Sequence, residues 1–316
     1  MICVFLGAGF SVVGGVPLAS QLFDEEPTVD RITRQRLVAR VLEGWSRWQS
    51  KTKQQPEEYL AHLEFEGGKA WLDAKWYVSL VIALKMGRVE YVGAKSTIIH
   101  HNIDRTSGII AHEKFWSAIF SATDDVTVIT TNYDILAERG MRNAPRSRIP
   151  RPGFHYGSGP EPLAGGGYPS YAHIKKIAVT GRIPLLKLHG SVSWGFRKGG
   201  LTRYHDCRPA IRGDAAIVAP VIEKSIPTFL EPLWLQAAHS LSISKKCIFV
   251  GYSFPQYDIL INNLFVQNVA EDAQIHIINP DPTAAQIAEK LLRGRSVSHH
   301  PGLPDCLSEM PHIMTS

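Results

Sequence analysis

Apolar residues recur along the chain in two patterns. Short unbroken runs appear at Met1–Leu6, Asp125–Thr131, Leu185–Leu188, Lys246–Gly251 and Ile275–Ile278. Runs of that length, rich in β-branched residues, predict strands buried on both faces. Between the first two, from about Pro17 to Ala122, the spacing changes to three and four. Leu37, Val41, Trp45 and Trp48 form one such stripe, and Leu72, Trp76, Leu80, Val81 and Leu84 another. These predict packed helices with few strands among them. Further helices are expected over Pro227–Leu241 and Ala284–Leu292, with short strands around Trp194–Phe196 and Ile217–Ala219.

Strands alternating with helices predict an α/β fold, a Rossmann-like doubly wound and mostly parallel sheet with an inserted helical module or lid. The expected organisation is one unit over residues 1–300, with the helical module at about 18–122 and an irregular Pro/Gly-rich loop at 141–171. A weakly held tail is expected over 301–316. In such sheets ligands sit beyond the carboxyl ends of the strands. There the chain carries its small and polar clusters: GAGFS, TTNYD, LHGS, GYSF and INPD.

Taken alone, each cluster has a bland reading. GAGFSVVGG departs from a dinucleotide fingerprint, with Val12 where the third glycine belongs, and the acidic run Asp24-Glu25-Glu26 follows no strand. What remains is either a tight turn or a phosphate cradle with Ser11 as an added donor. His189 at a strand end could be structural, and Asn132 a turn former.

Composition narrows the class. The net charge of +5 is spread along the chain; its densest stretch, Arg139 to Arg151, lacks interleaved aromatics and reads as a solvated loop rather than a nucleic-acid patch. Cys3, Cys207, Cys247 and Cys306 are far apart, which disfavours a zinc ribbon, and no metal is expected. No apolar run is long enough to span a membrane or act as a leader, so a cytoplasmic protein is expected.

In their order, GAGFS, TTNYD, LHGS, GYSF and INPD resemble the sirtuin (SIR2) superfamily, more specifically the SIR2-like domains of bacterial antiphage defence proteins. The resemblance spans residues 2 to about 295. GAGFS with Gly14-Gly15-Val16-Pro17 is similar to the sirtuin phosphate loop, TTNYD stands where sirtuins have TQNID, and His189 matches the strand-end catalytic histidine. The resemblance implies that Gly7, Ala8, Gly9 and Ser11 bind pyrophosphate, with Thr131 and Asp134 near the nicotinamide end. It implies that Gly251, Ser253 and Asn279 hold the adenosine half. Two departures stand out. Pro17-Leu18-Ala19 replaces the Asp-Phe-Arg of deacylases, and the four-cysteine zinc module is missing.

The departures fit the defence relatives, which the resemblance implies are NAD+ hydrolases. Nicotinamide leaves as a neutral base, so no general acid is needed, unlike ordinary glycoside hydrolysis. The expected catalytic pair is His189 as base and Asn132 as the group orienting ribose and water. The expected activity is NAD+ cleavage to nicotinamide and ADP-ribose, in antiphage defence. Control would come from homo-oligomer assembly or a separate subunit, such as a HerA-type ATPase or an Argonaute-type protein. Two alternatives stay open: an NAD-dependent deacylase or ADP-ribosyltransferase, and a non-catalytic module that binds NAD or ADP-ribose.

Overall fold

A computed structural model describes residues 1–24, 26–27, 29, 32–86, 88–92, 96–100, 107–144, 153–157, 181–197, 200–204, 207–218 and 226–315. In chain order the first elements are β1 (Ile2–Leu6), α1 (Ala8–Val13), α2 (Ile32–Thr52), α3 (Pro56–Glu66), α4 (Gly68–Lys85), β2 (Arg88–Val92), β3 (Ser96–His100), α5 (Ser107–Ala122), β4 (Val126–Thr130) and α6 (Leu136–Asn143). Then come β5 (Gly153–His155), β6 (Gly181–Lys187), β7 (Gly190–Arg197), β8 (Gly200–Arg203), α7 (Arg208–Arg212) and β9 (Ala215–Ile217). The last are α8 (Glu231–Ile243), β10 (Lys246–Val250), α9 (Ile259–Asn268), β11 (Gln274–Ile278), α10 (Thr283–Leu291), β12 (Ser296–His300) and α11 (Met310–Thr315).

Seven strands form one sheet in the order β12-β11-β10-β1-β4-β6-β5. All of its pairings are parallel. Every residue of β4 and β10 is buried, as is β1 beyond Ile2. Strands hidden on both faces need helices above and below them, which explains their unbroken apolar sequence. The fold is thus the Rossmann-like α/β class that the alternating pattern predicts. From β1 the chain adds β4, then the edge strand β5, then β6 between those two, and returns to build β10, β11 and β12 on the other side. The winding reverses at β1 and β10, where open α/β sheets form their ligand crevice.

Helices α2, α3 and α4 lie between β1 and β4 in sequence. Phe23, Trp45, Tyr59 and Tyr77 form their shared aromatic core; Phe23 stacks on Trp45 at 5.0 Å and on Tyr77 at 5.5 Å between centroids. Helix α4 is buried all round from Trp76 to Ala83, because it is packed against α3 on one side and α7 and β9 on another. Leu72, expected in its buried stripe, is 63% exposed. It sits near the start of α4, ahead of the buried stretch, so the period alone overextends the inner face.

The stretch before Ala122, expected to hold few strands, holds two among the described residues, the antiparallel β2–β3 pair. Other expectations need correction. The short edge strand β5 and the last residues of α6, Met141–Asn143, fall in the loop expected at 141–171, and residues 145–152 and 158–171 of that loop lie outside the described residues, as do Arg146 to Arg151. The segment after Pro301, expected to be weakly held, packs firmly. Cys306, Met310 and Ile313 are buried, α11 lies against α5, and the Lys246 ammonium donates to the Ile313 carbonyl. Strand β12, the sheet edge beside β11, escaped the pattern because its SVSHH sequence is polar and mostly exposed.

Candidate active site

The five clusters lie just beyond the ends of β1, β4, β6, β10 and β11, all at the same edge of adjoining strands. They border a cavity of about 770 Å³. Every candidate residue lines it except Gly7.

Gly7 and Gly9 serve the sheet itself. The Gly7 N–H donates to Val250 O at 2.9 Å and the Gly9 N–H to Gly251 O at 2.8 Å. A Cβ at Gly9 would meet Gly251 Cα at 2.8 Å, and one at Gly251, with φ +63°, would meet Phe10 N at 2.3 Å. The backbones after β1 and β10 touch, and only glycine allows it. The expectation that these two N–H groups face a pyrophosphate is therefore corrected: both are bonded to the neighbouring strand.

Ser11 is also engaged. Its hydroxyl donates to Asp134 Oδ2 at 2.6 Å and accepts from Asn132 Nδ2 at 2.9 Å. Asn132 Nδ2 donates a second time, to Gly7 O at 2.7 Å. Its own N–H donates to Thr130 Oγ1 at 3.0 Å, and Asp134 Oδ1 accepts the Leu136 N–H at 2.8 Å. The carboxamide of Asn132 is thus held from two strand ends, with its nitrogen turned into the protein. Beneath it, buried Lys187 donates to Asp134 O and, at 3.2 Å, to Glu138 Oε1. Tyr156 adds a bond to the same Glu138 oxygen at 3.2 Å. This network fixes the TTNYD turn to β6 and α6.

His189 stands on the turn between β6 and β7. Gly190 follows with φ +80°, and a Cβ there would strike Ala216 O at 2.0 Å, so the reversal requires glycine. His189 O accepts the Val218 N–H at 3.0 Å, while its imidazole, 6.2 Å from the Tyr133 ring, makes no side-chain hydrogen bond among the described residues and borders the cavity. Burial holds its pKa below the ordinary histidine value, partly offset by Asp258. Asp258 moves the opposite way. Burial raises its carboxyl, against the pull of His189 and of Tyr252, whose hydroxyl donates to Asp258 Oδ2 at 2.9 Å. A neutral, unpaired imidazole at neutral pH is the form a general base requires.

At the other end, Ser253 is exposed at the rim. Asn279 is buried, its Nδ2 donating to Tyr252 O at 3.2 Å and its Oδ1 accepting the Asp281 N–H at 3.0 Å. Its carboxamide shapes the turn after β11. Thr131 is half-buried beside Asn132.

Among the lining residues that have no place in the sequence reading are Asp258, Tyr257 and Glu57. Asp258 follows GYSF by four residues and could have been suspected. Glu57 sits in the first turn of α3, where an acid is unremarkable in any helix, so no sequence signal marks it. Among the described residues no Lys or Arg lines the cavity, whereas Glu57, Asp134 and Asp258 do. Also among the described residues, no group of three or more His, Cys, Asp or Glu is placed to hold a metal, and no helix is long and apolar enough to cross a membrane.

No family model matches the chain, and neither does any curated protein. Solved structures similar to it are Sir2 enzymes. One, a Sir2 homologue in complex with NAD, is 14% identical over 99% of this chain and 87% of the other, with a TM-score of 0.46. Another, a Sir2 complex with a p53 peptide and NAD+, is 11% identical over 99% and 92%, with a TM-score of 0.44. A third, from work on the mechanism and regulation of Sir2 enzymes, is 14% identical over 99% and 90%, also at 0.44.

Proposed function

We propose that the chain is an NAD+ glycohydrolase, releasing nicotinamide and ADP-ribose. One observation carries the reading: an imidazole without a hydrogen-bond partner among the described residues and a rigidly held carboxamide line one cavity at the ends of adjoining parallel strands. A site that only bound a nucleotide would not require a neutral base in a desolvated position.

In this reading the nicotinamide ribose lies between Asn132 and His189. The ring nitrogen of nicotinamide takes the C1′–N electron pair as that bond breaks. Water oxygen bonds to C1′, and its proton passes to His189. Asn132 Oδ1, left free by the two donations from Nδ2, orients the ribose or the water. Positive charge grows on the sugar in the transition state, and the cavity's carboxylates favour it. Gly9 and Gly251 offer a surface without side chains along which the pyrophosphate can lie, with Ser253 and the Asn279 turn at the adenosine end. Asp134 acts through Ser11 and Asn132.

An unrestrained NAD+ hydrolase would drain its own cell. A role in antiphage defence, with activity released by self-assembly or a partner subunit, fits that constraint. The test is NAD+ turnover by the purified protein, alone and with the products of neighbouring genes, beside its native mass. His189→Ala and Asn132→Ala should each abolish nicotinamide release. Undiminished cleavage by both variants overturns the site. Free ADP-ribose without an acyl-lysine substrate supports hydrolysis, and O-acyl-ADP-ribose would replace it with deacylation.

A further inference from the structure

Glu57 lies outside the five strand-end clusters. It comes from the helical module, at the second residue of α3, and is only 6% exposed. One carboxylate oxygen, Oε1, accepts the Tyr257 hydroxyl at 2.8 Å. The other, Oε2, is buried with no partner among the described residues. Both residues border the cavity, beside Asp258.

The start of α3 does not need this carboxylate. Glu58 does the capping, its Oε2 accepting the Gln55 N–H at 2.8 Å, and Pro56 fills the first helical position. A helix N-terminus favours an acid, but an exposed one gains that effect without desolvation. Burying a carboxylate with one oxygen unsatisfied is costly unless something donates to it. Among the described residues no Lys or Arg lines this cavity, so none of their cations is the missing donor. A neutral hydroxyl from a ligand meets the need. The location identifies which hydroxyl. Glu57, Asp258 and Tyr133 line the same cavity, and Tyr133 adjoins Asn132 and lies beside the His189 ring.

We propose that Glu57 is a substrate-binding carboxylate, with Tyr257 holding its Oε1 so that Oε2 accepts a hydroxyl of the ribose at the scissile end of the dinucleotide. This rests on the NAD+ reading and adds to it a role for the helical module: the sheet supplies the base, and the module supplies the acceptor that positions the sugar.

The test compares calorimetric binding of ADP-ribose and of ADP, which lacks the distal ribose. Glu57→Gln keeps an acceptor for Tyr257 and removes the charge. It should weaken ADP-ribose binding roughly tenfold, the size of one hydrogen bond to a charged group, and leave ADP binding unchanged. Tyr257→Phe, which frees the carboxylate to rotate, should give a smaller loss with the same selectivity, and serves if the glutamine variant does not fold. Equal weakening of both ligands, or none, overturns the role of Glu57 while leaving the NAD+ reading intact. A wild-type protein that binds neither ADP-ribose nor NAD+ overturns the reading and the role together.

Discussion

The Ser11 hydroxyl donates to Asp134 Oδ2 at 2.6 Å, joining α1 to the loop after β4 across 123 residues of chain. Ser11 Oγ also accepts from Asn132 Nδ2, so the orientation of a proposed catalytic group depends on a serine of another element. Ser11→Ala deletes both bonds and leaves Asn132 with Gly7 O alone. Stability should fall by about 1–3 kcal/mol, the usual cost of unsatisfying buried polar groups. NAD+ turnover should fall at least tenfold, with ADP binding kept. Chemical denaturation beside steady-state kinetics checks this, and an unchanged kcat would show that Asn132 does not need the serine.

The Lys187–Glu138 pair is buried on both sides, at 1% and 2% side-chain exposure. Removing one partner leaves a desolvated charge behind, which typically costs about 3–5 kcal/mol. Lys187→Met should therefore destabilise strongly and loosen the TTNYD turn. The double variant Lys187→Met with Glu138→Gln should recover part of the stability, because no lone charge remains. Urea midpoints for the set decide the matter.

The pH profile follows from His189. Its pKa is lowered by burial, so the neutral base persists below the ordinary histidine value of ~6.5. Protonation removes the base, so kcat/KM should stay level through neutral pH and drop only on the acid side of that value. Asp258 raises the His189 pKa, so in Asp258→Asn the drop should shift to lower pH still. A shift toward higher pH would contradict the assignment.

A second histidine governs acid stability. His300 Nδ1 meets Glu309 Oε2 at 2.7 Å, and His300 Nε2 meets His276 Nδ1 at 3.0 Å. With Glu309 ionised, His300 donates from Nδ1 and His276 donates to His300, which leaves a lone pair on His276 Nε2, buried without a partner among the described residues. Protonating that nitrogen would bury an unsatisfied N–H near Lys246, His300 and His312, and the His276 pKa falls to about 4, with burial as the main cause. A histidine depressed in the folded state binds its proton more tightly once unfolded, so stability should be lost as pH falls from ~6.5 toward about 4 and level off below. His276→Gln should flatten that part of the curve of urea midpoint against pH.

Much of this molecule could be read from its residues because the strands are buried on both faces. Such strands must be apolar without a break, and ICVFL, VTVIT and KCIFV stand out for that reason. The edge strand β12 has one neighbour and open faces, so its sequence carries no such mark. The candidate residues were legible by position, at strand ends, but their partners were not. That Gly9 bonds Gly251, or that Ser11 orients Asn132, depends on which strands become neighbours, and no local pattern encodes that. Glu57 was hidden for a different reason: its position in the first turn of α3 already explains an acid.

Gly302 and Leu303, which follow β12, line the same cavity as Ala8, and β12 must first pair with β11. The part of the pocket wall at Gly302 and Leu303 is therefore made after the segments that carry Ala8, Asn132 and His189. A chain still on the ribosome has its proposed base and carboxamide early but no closed pocket until residue 303 emerges and β12 seats. For an enzyme that would consume NAD+, that order leaves a copy cut short before residue 303 without part of its pocket wall.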